Sequence, residues 1–191
     1  MVPRFVLASG SPRRRQLLEE AGYSFEIISP PDDEVSHDWL TIRELTTWNA
    51  TRKAWRVSET FPDAVVLAAD TLVTIDGRVL GKPFDLEDAV KTLQQLSGRA
   101  HEVWTAVCLR HATRGKAQNF HEISRVHFRK LSEPGIRKYL AKIDPLDKAG
   151  AYAAQGHGTE IIERIEGSFS NVVGLPMEKT TDALRAFGVT P

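Results

Sequence analysis

Residues 63–81 read DAVVLAADTLVTIDGRVLG, and this stretch decides what kind of sheet the chain builds. Between Asp63 and Asp70 runs an unbroken apolar segment of strand length, as expected of a strand buried on both faces. The run stops at Asp70, so the carboxylate is expected to cap the end of a core strand. Thr71–Ile75 and Arg78–Leu80 are then two strand-like halves around Asp76-Gly77, the strongest short hairpin signal a sequence offers. A doubly buried strand that feeds a hairpin predicts a mixed sheet, not a purely parallel one.

The flanking segments fit that sheet. "RFVLAS" (4–9) reads as a short buried strand, and "SPRRRQLLEEAG" (11–22) as a helix with Ser11 at the N-cap, Pro12 in the first helical position and Gly22 after the last turn. "YSFEIIS" (23–29) reads as a second strand, ended by Pro30 and Pro31. From Thr41 to about Glu59, Ile42, Leu45, Trp48 and Trp55 recur at helical intervals and predict a long amphipathic helix that carries Arg52 and Lys53. A helix from Asp85 to about Leu96, two alternating strands (101–111 and 119–130), a helix with Ile136, Tyr139, Leu140 and Ile143 on one face, a loop (145–158), a strand (159–167) and a last helix from Pro176 to Gly188 complete the chain. Strands and helices mostly alternate, with a hairpin pair interrupting, so the expected class is α/β. There is no internal repeat, low-complexity tract or linker.

Composition limits the function. The 191 residues suffice for one sizeable core, in one domain or two small lobes. No stretch approaches the ~20 consecutive apolar residues that span a bilayer, so no membrane association is expected. The N-terminal apolar run is too short for a secretory signal, and a single cysteine, Cys108, forms no internal disulfide; both predict a cytoplasmic protein. Lys plus Arg and Asp plus Glu number 25 each, so no global field gathers nucleic acid or an anionic membrane. The six histidines show neither HxxxH spacing nor cysteine partners and supply no zinc set.

Any anion site must therefore be local, and "LASGSPRRRQLL" (7–18) is the candidate. A helix start is electropositive and favours acidic residues, yet three arginines stand there. One reading is a phosphate cradle, in which the N–H groups of the Ser-Gly-Ser turn converge with bidentate donors from Arg13 and Arg14. The other is a solvated basic patch. No GxxxxGK[ST] occurs, and "GHGTEI" fails GxGxxG. Asp70, at the expected strand end, suits a base or a metal ligand, or merely caps the turn into the hairpin. Glu34 offers a second carboxylate or is a solvated loop acid. Lys82, after the hairpin, could be returned towards the end of the sheet where Asp70 stands, whereas Lys53 on a helix is by default solvent-facing. Gln155 has the paired donors and acceptor that read a base edge. Together these residues suit polyphosphate chemistry: cations on non-bridging oxygens, carboxylates holding a divalent ion, and one carboxylate activating water.

The ordered set "LASGSPRRRQLLEEAG", "DDE", "RKA", "AADTLV", "LGKP", "LSGRAHEVWTAV", "DKAGAYAAQG" and "EGSFSNVVGLP" resembles the Maf family of nucleoside triphosphate pyrophosphatases, over about Phe5 to Leu184. The resemblance implies a single Maf-like domain across 1–191, with an elongated mixed β-sheet flanked by helices and two lobes around a central cleft, like the inosine triphosphatase fold. It implies hydrolysis of a nucleotide between its α and β phosphates. By motif, Asp70 is the proton acceptor; Ser9, Arg13, Arg14, Lys53 and Lys82 are the phosphate binders; Glu34, with Asp70, is associated with a magnesium or manganese ion. Arg13, Thr71 and Gln155 resemble the branch that prefers dTTP and UTP. The related branch acting on 7-methyl-GTP tends to have a tryptophan after "SP" and an acidic residue in place of Gln155. Phe169 departs from the tyrosine frequent in the family. The resemblance also implies a homodimer.

Two other functions compete. A nucleotide-sensing regulator of cell division would keep the phosphate cradle without needing a water-activating carboxylate; Asp70, Glu34 and both lysines favour the enzyme. Nucleic-acid binding through the arginines is disfavoured by zero net charge and by a single basic turn instead of a basic face.

Overall fold

A computed structural model of the chain describes residues 3–30 and 39–191. Strand β1 (Phe5–Leu7) leads through Ala8–Ser11 into helix α1 (Pro12–Glu20). Ser11 occupies the N-cap, but its side chain makes no capping bond. The helix closes as a sequence ending in Ala-Gly should: Gly22 takes φ 83°, its N–H bonds Glu19 O and the Tyr23 N–H bonds Leu18 O, a Schellman motif. Strand β2 is only Glu26–Ile27. Helix α2 (Ile42–Thr60) opens with a reciprocal capping box between Thr41 and Glu44.

Strand β3 (Val65–Ile75) corrects the sequence reading. It does not stop at Asp70 but continues for five residues into the hairpin with β4 (Arg78–Leu80). The hairpin itself is as expected, with Ile75 opposite Arg78 and positive φ at both Asp76 (51°) and Gly77 (74°), the geometry of a type I′ turn. Then follow α3 (Leu86–Leu96, capped by Asp85), β5 (Ala100–His111), β6 (Lys116–Phe128), α4 (Glu133–Leu140), two 3-10 turns (Ala149–Ala151 and Gly156–Glu160), β7 (Ile162–Glu166), α5 (Phe169–Val173) and α6 (Met177–Ala186). The short α5 is not foreshadowed by the sequence pattern. The seven strands form one mixed sheet in the order β2-β1-β3-β5-β6-β7, with β4 on β3; β1 is parallel to β2 and β3, while β3/β4 and β6/β7 are antiparallel. Among the described residues no helix is long and apolar enough to cross a membrane.

The chain divides into two compact units. The first comprises Met1–Asp70, Thr105–Glu122 and Gly174–Pro191. Strand alternation sorts its core onto two faces. Phe5, Leu7, Val65, Leu67, Val107 and Leu109 meet Leu18 of α1, Leu184 of α6 and Phe187 at the end of α6. Val6, Ala8, Val66, Ala68, Ala106 and Cys108 meet Ala50, Ala54 and Val57 of α2. The α2 contact surface differs from the expected one. Trp48 and Trp55 are 54% and 48% exposed, and the buried side consists of Leu45, Thr46, Asn49, Ala50, Ala54, Val57 and Ser58. Small side chains win that face because they let the helix backbone lie close on a sheet surface that is itself small and branched.

The second unit comprises Thr71–Trp104 and Ile123–Val173. Its core joins Val73, Val103, Val126 and Phe128 of the strands to Val90, Leu93 and Leu96 of α3 and Ile136, Tyr139 and Leu140 of α4. Ile143, expected on the α4 face, lies beyond the helix end and is partly buried against that core.

Candidate active site

In β3 the even-numbered side chains Val66 and Ala68 lie on the α2 face, and Asp70 continues that series. A carboxylate is thereby carried into the interior at 3% exposure. Removing an ion of this kind from water costs several kcal/mol unless partners replace the lost hydration. Helix α2 supplies them from two positions one turn apart, which the helical repeat sets side by side. The Lys53 ammonium donates to Asp70 Oδ1 at 2.8 Å, and the Asn49 amide donates to Oδ2 at 3.4 Å. Lys53 is thus not the solvent-facing residue its default reading suggests: its side chain is only 16% exposed. Cys108, on the same sheet face, has its thiol pushed up to about 11 by burial and stays protonated.

The arginine turn belongs to the same unit. Ser9 is buried, and its hydroxyl accepts from the Ser11 N–H at 3.2 Å and from Arg14 Nη1 at 3.2 Å. Arg14 also donates through Nε to the Gly174 carbonyl at 2.8 Å, tying the first turn of α1 to the segment before α6. Arg13 is half-buried beside it. Arg15 instead pairs with Glu19 one turn on, an exposed helix pair. Of the three arginines, Arg13 and Arg14 are half-buried and Arg15 is exposed. Replacing Arg14 with Lys keeps the charge but cannot serve both acceptors with planar donors. Arg14→Lys is expected to lower the unfolding free energy by about 1–2 kcal/mol, read from urea titration.

The second unit holds Thr71, Lys82 and Gln155. Thr71 follows Asp70 directly, so the alternation of β3 turns its side chain to the opposite face. Lys82 is exposed after β4, and Gln155 is half-buried at the start of a 3-10 turn. Their two loops are joined, because the Gly150 N–H donates to Gly81 O at 3.1 Å. Gly150 takes φ 71°, and a Cβ there would stand 3.0 Å from Val73 Cγ1, so a side chain at this position would be strained. The loop before Gln155 is further fixed by Tyr139, whose hydroxyl donates to Ala153 O (3.2 Å) and accepts from the Ala153 N–H (3.0 Å). Tyr152 is held by His101 Nε2, 2.9 Å from its hydroxyl.

The structure thus brings Lys53 onto Asp70 and Arg14 onto Ser9. Glu34 lies outside the described residues. Sequence reasoning missed Asn49 and Gly174. A backbone carbonyl carries no side-chain signal, but an amide one turn before a lysine, on a helix face shared with Leu45, Ala50, Ala54 and Val57, is a usable one.

Comparison with known proteins bears on the chemistry. A family profile described as Maf-like protein matches residues 4–187. The chain is 46% identical over 183 residues to the dTTP/UTP pyrophosphatase of Pelotomaculum thermopropionicum, covering 96% of each chain. It is 44% identical over 188 residues to that of Akkermansia muciniphila, covering 98% of each, and 42% identical over 184 residues to that of Bacillus cytotoxicus, covering 96% of this chain and 95% of that one. Among solved structures, the Staphylococcus aureus Ham1 protein aligns over 96% of this chain and 97% of its own, with a TM-score of 0.49 and 15% identity.

Proposed function

The chain belongs to the Maf-like protein family, and from that premise we propose that it hydrolyses dTTP and UTP between the α and β phosphates, releasing the monophosphate and pyrophosphate. The near-full-length likeness to enzymes named for that activity carries the reading. The buried, doubly contacted Asp70 gives it a chemical centre.

In this reaction Asp70 accepts a proton from the attacking water, whose oxygen forms a bond to phosphorus as the α–β bridging bond breaks and pyrophosphate departs. Each carboxylate oxygen has two lone pairs. With Lys53 on Oδ1 and Asn49 on Oδ2, the carboxylate is held from α2 at both oxygens in the orientation in which it meets that water. The ammonium of Lys53 favours the ionised carboxylate a base requires. Ser9, Arg13, Arg14, Lys53 and Lys82 hold the phosphates; of these, Arg14 also shapes the loop that presents Ser9. Arg13, Thr71 and Gln155 select the pyrimidine base, a role that rests on their match to the dTTP/UTP pattern.

The donor set suits a magnesium or manganese ion that arrives with the nucleotide. Asp70 is a hard oxygen donor, and among the described residues no three His, Cys, Asp or Glu side chains converge. Magnesium is commonly held by one or two carboxylates together with substrate phosphates and water, and Asp70 with Glu34 would serve. When bound, the ion neutralises charge developing on the phosphate oxygens. We place the enzyme in the cytoplasm, on the lone buried cysteine, and as a homodimer, on the family resemblance.

The direct test incubates the protein with a panel of nucleoside triphosphates and magnesium or manganese and measures released pyrophosphate. Turnover of dTTP and UTP above the purine nucleotides is expected. A folded protein inactive on every pyrimidine triphosphate would refute the reading.

A further inference from the structure

The amide of Asn49 lies on the buried side of α2, among Leu45, Ala50, Ala54 and Val57. Burying an amide without a hydrogen-bond partner costs free energy, and an aliphatic residue would serve this face at no such cost. Asn49 is 4% exposed, and its Nδ2 reaches Asp70 Oδ2. The lysine one turn later takes the other oxygen. Two donors on one rigid helix, each on a different oxygen, constrain the plane of the carboxylate more tightly than either would alone. The two oxygens are also made unequal, because a charged donor at 2.8 Å holds Oδ1 far more firmly than a neutral one at 3.4 Å holds Oδ2.

We propose that Asn49 is a positioning residue for Asp70: its amide on Oδ2, with Lys53 anchoring Oδ1, sets the orientation in which the carboxylate meets the attacking water. The inference rests on the reading of Asp70 as the water-activating group, and it assigns Asn49 no contact with the nucleotide. It therefore separates chemistry from binding. Loss of the amide should slow turnover and leave substrate affinity in place.

Asn49→Leu, which keeps the branched four-atom shape, loses the amide and is a better helix former, tests it. The expected result is a kcat roughly 3- to 10-fold lower with KM within about twofold of the parent, in a protein whose circular dichroism is unchanged. Asn49→Ala should recover part of the rate, because the space it leaves admits a water that can donate to Oδ2. Coupling is the decisive measurement: in an Asp70→Asn background, Asn49→Leu should cost much less turnover than in the parent, since the carboxylate it orients is gone. An equal loss in both backgrounds, or a KM rise with kcat intact, would overturn the proposal. A readout independent of turnover is the carboxyl carbon resonance of Asp70 at neutral pH, assigned by its disappearance in Asp70→Asn. It should move in Asn49→Leu, and an unmoved resonance would show that the amide does not govern the carboxylate. Should the parent protein fail to hydrolyse any pyrimidine triphosphate while this resonance does move, the water-activation reading falls and the contact stands as structural, so the two failures are distinguishable.

Discussion

Asp70→Asn should lower kcat by roughly 10²- to 10⁴-fold, the range general-base catalysis supplies, while nucleotide binding survives. The substitution keeps the shape of the side chain and removes its charge and basicity. The site tolerates the change locally. The new amide carbonyl accepts from Lys53, and the Asn49 amide turns over to accept from the new N–H₂, so that both α2 contacts are kept in altered polarity. A truncation would behave differently. Asp70→Ala takes the carboxylate away from a largely buried ammonium, and breaking such a pair costs more than its net worth. The amide substitution is therefore the cleaner test of chemistry. Single-turnover rates with dTTP and UTP, alongside nucleotide affinity by equilibrium titration, check it. Residual turnover within about tenfold of the parent would mean another group takes the proton. Restoration of the rate by raised magnesium or manganese would mean that Asp70 serves chiefly to hold the ion.

The same carboxylate shows why part of the molecule was legible in the sequence and part was not. Elements whose causes are local read correctly. Pro12 and Gly22 bracket α1, Asp85 caps α3 through the Asp88 N–H at 2.8 Å, and Asp76-Gly77 turns the hairpin. Strand β3 was expected to end at Asp70 because a charge inside a buried strand has no local justification. Its justification is Lys53 and Asn49, which stand 17 and 21 residues earlier on another element. Side-chain type also misled on α2. Trp48 and Trp55 carry the most apolar area, yet Trp55 is held at the surface, with the Arg110 guanidinium 3.6 Å above its ring and its indole N–H on Glu59. The buried arc goes to residues whose virtue is small size, which hydrophobicity alone does not rank. Arg13, Thr71 and Gln155 were identified by motif, since nothing in their spacing distinguishes a substrate contact from a surface residue.

Below about pH 6.5 the second unit should lose stability through His101, by about 3 kcal/mol in all once the pH has fallen to about 4. His101 is 2% exposed, its ring edge-on to Phe128 and Tyr152 with centroids 4.9 and 5.3 Å away. Burial in that aromatic cluster, with a smaller contribution from His127, pushes its pKa down to about 4. The unfolded chain takes up a proton near pH 6.5 that the folded chain refuses until about pH 4. Between those values the unfolded state binds more protons, so stability falls as the pH falls, and the full penalty is present below the folded pKa. His111 and His121, both pushed down chiefly by burial, act in the same direction, so the parent protein alone cannot isolate the effect. The exposed carboxylates Glu26, Glu44, Glu87 and Glu160, whose hydrogen bonds hold them below the usual range, lose their contribution at lower pH. His101→Gln separates the terms, because a neutral amide does not titrate and can still bond the Tyr152 hydroxyl. Urea midpoints measured from about pH 7 down to about pH 4.5 should fall less steeply in His101→Gln than in the parent, and parallel slopes would refute the assignment. Because Tyr152 leads into the loop that carries Gln155, protonation of His101 should also erode the preference for pyrimidine nucleotides before the unit unfolds, so discrimination against purine nucleotides should weaken with acid ahead of the loss of the folded signal.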